Sequence, residues 1–165
     1  MFWFLIILCA VIKVQAQFVQ TSIFTVGNSP KGIAIDGSGN VWVANTGSDT
    51  VTKLNGTGNT LGTFVVGNGP TGIAIDGSGN AWVTNWGSST VTKLNSTGST
   101  LGTFTVGTSP LGIASDKSGN VWVANEWDGT VTKLSCTGSI LGTFAIGGYP
   151  QGIAINGSGN VWVTS

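Results

Sequence analysis

Four copies of one segment, spaced 40 residues apart, constrain this chain more than any other feature of its 165 residues. The copies read GIAIDGSGNVWVAN from Gly32, GIAIDGSGNAWVTN from Gly72, GIASDKSGNVWVAN from Gly112 and GIAINGSGNVWVTS from Gly152. A fixed period of about 40 residues is typical of repeat architectures, in which each unit is a supersecondary module that buries its apolar faces against its neighbours. The sequence therefore says more about architecture than about function.

Each unit has the pattern of four short strands. Runs of β-branched, aliphatic and aromatic residues alternate with segments of Gly, Asn, Ser and Pro, and no helical period occurs after residue 16. In the first unit we predict strands at 32–35, 41–44, 50–54 and 60–66, with turns at 36–40, 45–49 and 55–59. Four antiparallel strands in about 40 residues make one blade of a β-propeller, so we predict an all-β propeller fold. Blades cover one another, so we expect the strands to be apolar on both faces.

The unit also resembles a known family of propellers. Its pattern P-x-G-I-A-I-D-x-x-G-N-V-W-V-A-N, followed by T-V-x-K-L, is similar to NHL-repeat blades and to their relatives in the streptogramin (virginiamycin B) lyase and gluconolactonase-like propellers. The resemblance covers nearly all of the chain after residue 16. It implies a fold but not a function, because such propellers include both enzymes and binding modules.

The number of blades is not a whole number. Residues 18–27 contain TSIFTVG, which matches the fourth strand of later units (LGTFVVG, LGTFTVG), and the sequence ends within the second strand of its fourth unit. About three and a half blades are therefore present. We expect a fragment of a longer propeller, because an open stack exposes a blade face and unpaired strand edges. The alternative is a short protein that closes by self-association with a second copy.

The first 16 residues differ from the repeats and predict a signal peptide. Residues 2–12 form an uncharged apolar run, shorter than the roughly 20 residues of a membrane-spanning helix, and V-Q-A then precedes Gln17 as a small-residue cleavage pattern. We expect a signal peptide at 1–16, propeller repeats at 17–165, secretion, and no membrane contact after cleavage. The alternative is a buried or membrane-anchoring segment. Cleavage would leave Cys136 as the one cysteine, either an inert loop thiol or a site of intermolecular pairing.

Composition excludes several functions. Charged residues make up 7% of the chain, six basic and six acidic, with no Arg, which argues against a nucleic-acid partner. The chain contains no His, so a His base, a His metal ligand and a Ser-His-Asp triad are excluded. The resemblance implies that the lyases depend on His, and that metal-dependent gluconolactonase-like members depend on carboxylates and Asn lining the central channel. Glu126 and Asp128 remain as a candidate carboxylate pair, without an evident partner from another blade. We predict no catalytic residue and no cofactor.

Two repeated features have a structural interpretation. Asp36, Asp76 and Asp116 begin the turns between the first and second strands, with Asn156 in the fourth unit. A calcium loop usually supplies several carboxylates, so we interpret these residues as hairpin caps and predict no metal site. The second strands each carry a Trp and the fourth strands a Phe. We expect these rings to fill the space between blades rather than to form a stacking platform, and they are Trp42, Trp82, Trp122, Trp162, Phe24, Phe64, Phe104 and Phe144.

Two sets of turns vary between units, whereas the first turn is nearly constant. The turns after the second strand (NTGSD, NWGSS, NEWDG) and after the fourth strand (GNSPK, GNGPT, GTSPL, GGYPQ) should emerge on one face, at the mouth of the channel. Their larger or charged residues include Lys31 and Leu111, and the candidate binding residues are Asp49, Trp86, Glu126, Trp127, Asp128, Tyr149 and Gln151. Such a rim suits a carbohydrate or protein ligand, although drift in solvated loops would also produce it. We predict a secreted, non-catalytic binding scaffold. The alternative is part of a lyase-like or lactonase-like enzyme whose catalytic residues lie in other blades.

Overall fold

The structure, a computed structural model, describes residues 23–165, and this part of the chain is all β with no helix. Three four-stranded antiparallel sheets, here called blades 1 to 3, keep their strands in chain order, and a two-stranded sheet follows. Blade 1 contains β1 (Pro30–Ile35), β2 (Val41–Asn45), β3 (Thr50–Leu54) and β4 (Thr60–Val65). Blade 2 contains β5 (Pro70–Ile75), β6 (Ala81–Asn85), β7 (Thr90–Leu94) and β8 (Thr100–Thr105). Blade 3 contains β9 (Pro110–Ser115), β10 (Val121–Asn125), β11 (Thr130–Leu134) and β12 (Ile140–Ala145), and the last sheet contains β13 (Ile153–Ile155) and β14 (Val161–Val163).

The predicted strands of the first unit are confirmed to within two residues at each end. The first strand begins earlier than predicted because Pro30 already pairs with Asn45 across an irregular step in the β1–β2 register. The leading segment is different. Its described part, residues 23–28, forms no strand, so the predicted strand at 18–27 is wrong there, and the rest of it lies outside the described residues together with the predicted signal peptide. Within residues 23–165 no helix is long and apolar enough to cross a bilayer.

The core lies between blades and is centred on the repeated tryptophans. Trp42 is fully buried in a cluster that includes Ile73, Val83 and Leu94 of blade 2, and Trp82 is fully buried against Val121 and the rest of its blade 3 cluster. The predicted role of the rings as fillers between blades is therefore confirmed for Trp42 and Trp82. The Trp of the last sheet, by contrast, is 66% exposed because no further blade covers it in the structure.

The phenylalanines of the fourth strands complete these contacts. The rings of Trp42 and Phe64 have centroids 6.0 Å apart, and the pairs in blades 2 and 3 are similarly placed. The Phe64 ring also fills the place where a side chain at Gly98 of the next blade would lie. Phe24 covers Gly58 of blade 1 in the same way. The described part of the leading segment thus occupies the position of a preceding fourth strand without forming one.

The expectation of strands apolar on both faces holds only for the second and third strands of blades 1 to 3; in β1, for example, Ile33 and Ile35 are each about two-thirds exposed. The second and third strands are almost wholly buried. The fourth strands instead alternate between half-buried and exposed residues, and Leu61, Leu101 and Leu141 are each more than half exposed. The expectation is wrong there because the fourth strand forms the outer edge of its blade, where solvent replaces a neighbouring strand.

Each complete unit contains an ion pair that the sequence pattern alone did not show, and the pairs of blades 1 and 2 are buried or nearly so. In blade 1 Asp36 Oδ2 lies 3.1 Å from Lys53 Nζ and accepts a hydrogen bond of 3.0 Å from Trp42 Nε1. The lysine lies 4.4 Å from the Trp42 ring centroid and donates to the carbonyl of Ser96 in the next blade at 2.7 Å. We call this arrangement the Asp–Trp–Lys network. It recurs in full with Asp76, Trp82 and Lys93. With Asp116, Trp122 and Lys133 it recurs at longer distances and, within residues 23–165, without the bond from the lysine to the next sheet.

The aspartate of each network also caps its turn, as predicted. Asp36 Oδ1 accepts hydrogen bonds from the backbone N–H groups of Ser38 and Asn40. Burial alone would raise the pKa of this carboxyl, but the donors from Asn40, Trp42 and Lys53 outweigh burial and hold the pKa well below its ordinary value. In the other two network aspartates burial again raises the pKa, but the Asn and Trp side chains and the backbone N–H groups of the turn outweigh it, so both pKa values are lowered. Asn156 accepts the same two backbone bonds, so the turn itself needs only an acceptor.

Candidate binding site at the variable face

The two sets of variable turns lie together on one face of the blades, as predicted. The turn after each second strand donates backbone hydrogen bonds to the connection that precedes the same blade. Thr46 N bonds Ser29 O at 3.1 Å, and Trp86 N bonds Gly69 O at 3.0 Å. We call the surface formed by these paired turns the variable face. Because both walls are held by backbone bonds, side chains there can change without altering the frame.

A pocket of about 380 Å³ opens on this face between the blades, and we call it the central pocket. Two repeat positions supply its lining. One is the residue that follows the second strand, and the other is the second residue of the first strand. The first position supplies Thr46, Trp86 and Glu126, and the second supplies Lys31, Thr71 and Leu111. Side chains that look scattered along the sequence are therefore collected at one place by the repeat.

Two of the seven predicted binding residues, Trp86 and Glu126, line this pocket, and Trp127 and Gln151 contact them from outside its lining. Glu126 accepts a hydrogen bond of 3.3 Å from Trp86 Nε1 on one carboxylate oxygen and one of 3.2 Å from Gln151 Nε2 on the other. The Trp86 and Trp127 rings meet edge to face, with centroids 6.1 Å apart and planes at 89°. Trp86 is 39% exposed and Trp127 is 65% exposed, so both rings keep surface for a ligand.

The other three predicted residues do not line the pocket. Asp49 accepts a hydrogen bond from Gly69 N at 2.8 Å, and Asp128 accepts one from Thr108 N at 2.7 Å, so both carboxylates hold neighbouring turns together. Tyr149 is exposed on the connection after β12 and is not among the pocket residues. The carboxylates of Glu126 and Asp128 have separate partners and are not joined in one site.

Sequence reasoning missed Thr46 and Thr71, which form the polar floor of the pocket. Thr46 Oγ1 donates to Pro70 O at 2.6 Å, and Thr71 Oγ1 donates to Pro110 O at 3.1 Å. Both are small and uncharged, so a search for conspicuous side chains passes over them. Aligning the units by repeat position would have found them, because they occupy the positions of Trp86 and Leu111.

The charges of the pocket are separated rather than paired. Lys31 lies on the side of unit 1 and Glu126 on the side of unit 3, and neither has an ion-pair partner within 4.0 Å among the described residues. Residues 23–165 contain no group of three or more His, Cys, Asp or Glu residues arranged to hold a metal ion. What the pocket offers is a carboxylate and an ammonium group beside exposed indole surface.

Comparison with solved structures identifies the architecture. A catalytically inactive virginiamycin B lyase from Staphylococcus aureus with quinupristin matches 85% of this chain with a TM-score of 0.76 and 18% identity. A streptogramin B lyase structure matches 86% with a TM-score of 0.76 and 21% identity. Hydrazine synthase of Kuenenia stuttgartiensis matches 87% with a TM-score of 0.76 and 19% identity. The chain has a streptogramin lyase-like β-propeller fold. No protein-family model and no curated protein sequence matches it.

The propeller fold gives the pocket its place. In a β-propeller the first strands of the blades surround a central channel. The first strands carry Lys31, Thr71 and Leu111 near their starts, on the variable face, so the central pocket lies at the mouth of this channel. The chain spans about half the length of the solved structures that it matches, from 44% to 51% of them.

Proposed function

We propose that this chain is a secreted, non-catalytic propeller module that binds a ligand through the central pocket. The observation that carries the proposal is the convergence of the repeat's variable positions on one concave site. The units are nearly constant where blades pack and differ where they line the pocket. Apolar and aromatic surface with a few placed polar groups is the usual character of a ligand site.

Protein and carbohydrate ligands both suit the rim, because indole faces give apolar contact and the carboxylate accepts hydrogen bonds. A glycan array and a protein array, probed with the wild type and with Trp86→Ala and Trp127→Ala, test the assignment. We expect binding that both substitutions abolish, while Trp162→Ala, which removes an exposed indole outside the pocket, leaves binding intact. Unchanged binding in both pocket variants would refute the site.

Secretion is a separate part of the proposal and depends on residues 1–16. Expression of the whole chain in a secreting host, followed by N-terminal sequencing of the exported protein, tests it. We expect the exported protein to begin at Gln17. An uncleaved chain retained in the membrane fraction would favour an anchor instead.

A second candidate function is part of a streptogramin lyase-like or gluconolactonase-like enzyme. It is favoured by the half-length match to the lyase structures, which leaves room for blades beyond those described. Since this sequence contains no His, the catalytic groups would come from such blades. Determining the complete coding sequence tests this candidate, and added blades with His or channel-facing carboxylates would support it.

A further inference from the structure

We infer that the ligand of the central pocket is a small zwitterion, in which an alkylated ammonium group is joined to a phosphate or carboxylate. Phosphocholine and glycine betaine represent the class. The inference rests on the proposed function, because it names the ligand of the same pocket. Three features carry it: the angle between two exposed indoles, a carboxylate without a cation, and a lysine across the pocket without an anion.

The indole pair is suited to the ammonium group of the ligand. Trp86 and Trp127 meet at 89°, so their exposed surfaces form a corner rather than one flat platform. A corner of aromatic rings surrounds a compact cation on two sides, and Trp gives the strongest cation–π attraction of the aromatic residues. Alkylated ammonium groups are recognised in this way because their methyl groups pack on the rings while their charge faces the π surface.

Glu126 places a negative charge beside this corner. Its two carboxylate oxygens accept from Trp86 Nε1 and Gln151 Nε2, both of which are neutral donors. The two bonds fix the orientation of the carboxylate but leave its charge uncompensated. An ammonium group in the corner would supply the missing counter-charge at short range.

Lys31 is suited to the anionic group of the ligand. The lysines of the three Asp–Trp–Lys networks are paired with aspartates, and Lys117 donates to Gly157 O in the constant turn of unit 4, on the opposite face. Among the described residues Lys31 is therefore the one lysine left to a ligand on the variable face. It lines the same pocket as Glu126 from two units away, with Thr71 and Trp86 between them.

The separation of these charges selects the ligand class. A simple cation would leave Lys31 uncompensated, a simple anion would leave Glu126 uncompensated, and a neutral sugar would satisfy neither. A molecule with both charges matches both ends at once. A pocket of about 380 Å³ accommodates a group of the size of phosphocholine.

Calorimetric titration of the whole chain with phosphocholine, choline, glycine betaine and inorganic phosphate tests the inference. We expect phosphocholine to bind more tightly than choline, and phosphate alone to bind weakly. Trp86→Ala and Glu126→Gln should each weaken phosphocholine about tenfold, while Trp86→Phe retains part of the affinity. Lys31→Met should weaken phosphocholine about threefold without weakening choline. Lys117→Met is the matched control, with affinity unchanged and circular dichroism verifying the fold of every variant.

Binding to lipid vesicles distinguishes between a lipid headgroup and a free zwitterion as the ligand. Binding to phosphatidylcholine vesicles but not to phosphatidylglycerol vesicles would support the inference with a lipid headgroup as ligand. Binding to free phosphocholine alone would support it with a soluble or polymer-borne group. No binding of any zwitterion, or binding that the pocket variants leave unchanged, would overturn it. If the arrays still yield a ligand that Trp86→Ala abolishes, the proposed function stands and only the ligand class is wrong.

Discussion

Replacing Asp76 by Asn should reveal how much the Asp–Trp–Lys network contributes to stability. The substitution keeps an acceptor for the turn but leaves Lys93, which is nearly buried, without its counter-charge at 3.6 Å. Removing one partner of a buried ion pair typically costs about 3–5 kcal/mol. Lys93 keeps its hydrogen bond to Cys136 O at 2.7 Å and its place 4.6 Å from the Trp82 ring centroid. We therefore expect a loss at the lower end, about 3 kcal/mol.

The third unit provides a matched control. Its lysine, Lys133, is 26% exposed and lies 3.9 Å from Asp116 Oδ2, so water compensates much of what the carboxylate supplies. Asp116→Asn should accordingly cost only about 1 kcal/mol. The double variant Asp76→Asn/Lys93→Met should be more stable than Asp76→Asn alone, because it leaves no unpaired buried ammonium group.

Urea unfolding followed by far-UV circular dichroism measures these differences as shifts of the midpoint at constant slope. Each unit contacts only its neighbours, so the slope is compared between variants to verify that cooperativity is unchanged. Equal losses in the two single variants would refute the argument from burial. If the double variant loses as much unfolding free energy as Asp76→Asn and Lys93→Met lose together when measured singly, the argument from pairing is refuted.

Three further predictions concern the packing between blades and its charges. The network aspartates have lowered pKa values in the fold, so the stability they contribute is complete above the ordinary Asp pKa of about 3.9 and is lost as pH falls below it. The urea midpoint should therefore be constant from about pH 7 to 5 and then drop. A midpoint that does not respond to acid would contradict this. Trp42→Ala should cost about 3–5 kcal/mol in a denaturant titration, against less than about 0.5 kcal/mol for Trp162→Ala, because the first ring is fully buried and the second mostly exposed. Gly98→Ala should lower the thermal midpoint strongly, because the Phe64 ring occupies the Cβ position and φ at Gly98 is +89°. Gly77→Ala, which has open space around it, should change the midpoint little. Similar midpoints for the two variants would exclude the steric explanation.

The fold could be predicted from the sequence because the same pattern occurs four times. A tryptophan such as Trp42 in every second strand could be assigned to the packing between blades from its recurrence alone. The network was harder to predict. Asp36, Trp42 and Lys53 are separated along the chain, and only the antiparallel pairing of β1, β2 and β3 places their side chains together. The carboxylate was correctly interpreted as a cap, but its ion pair depends on this pairing.

The candidate site could be predicted in part for a related reason. Trp86, Glu126 and Trp127 could be predicted because they depart from the other units in the turn after the second strand, and Gln151 because it departs in the connection after the fourth strand. Asp49 and Asp128 depart in the same way, yet their carboxylates bind backbone N–H groups of the adjacent connection. Variation identifies residues that the frame does not require, but it does not separate side chains that meet a ligand from those that brace a neighbouring turn.

The arrangement of the central pocket by repeat position has a consequence for how such a chain can change. Units 1 and 2 each hold the next unit through a buried Trp ring and a lysine, and units 1 to 3 each give the pocket one residue from each of two positions. Duplication of a unit therefore copies the contacts that hold units together, along with a new sector of the pocket wall. A later substitution at either pocket position changes the lining of one sector at a time and leaves the packing between units unchanged.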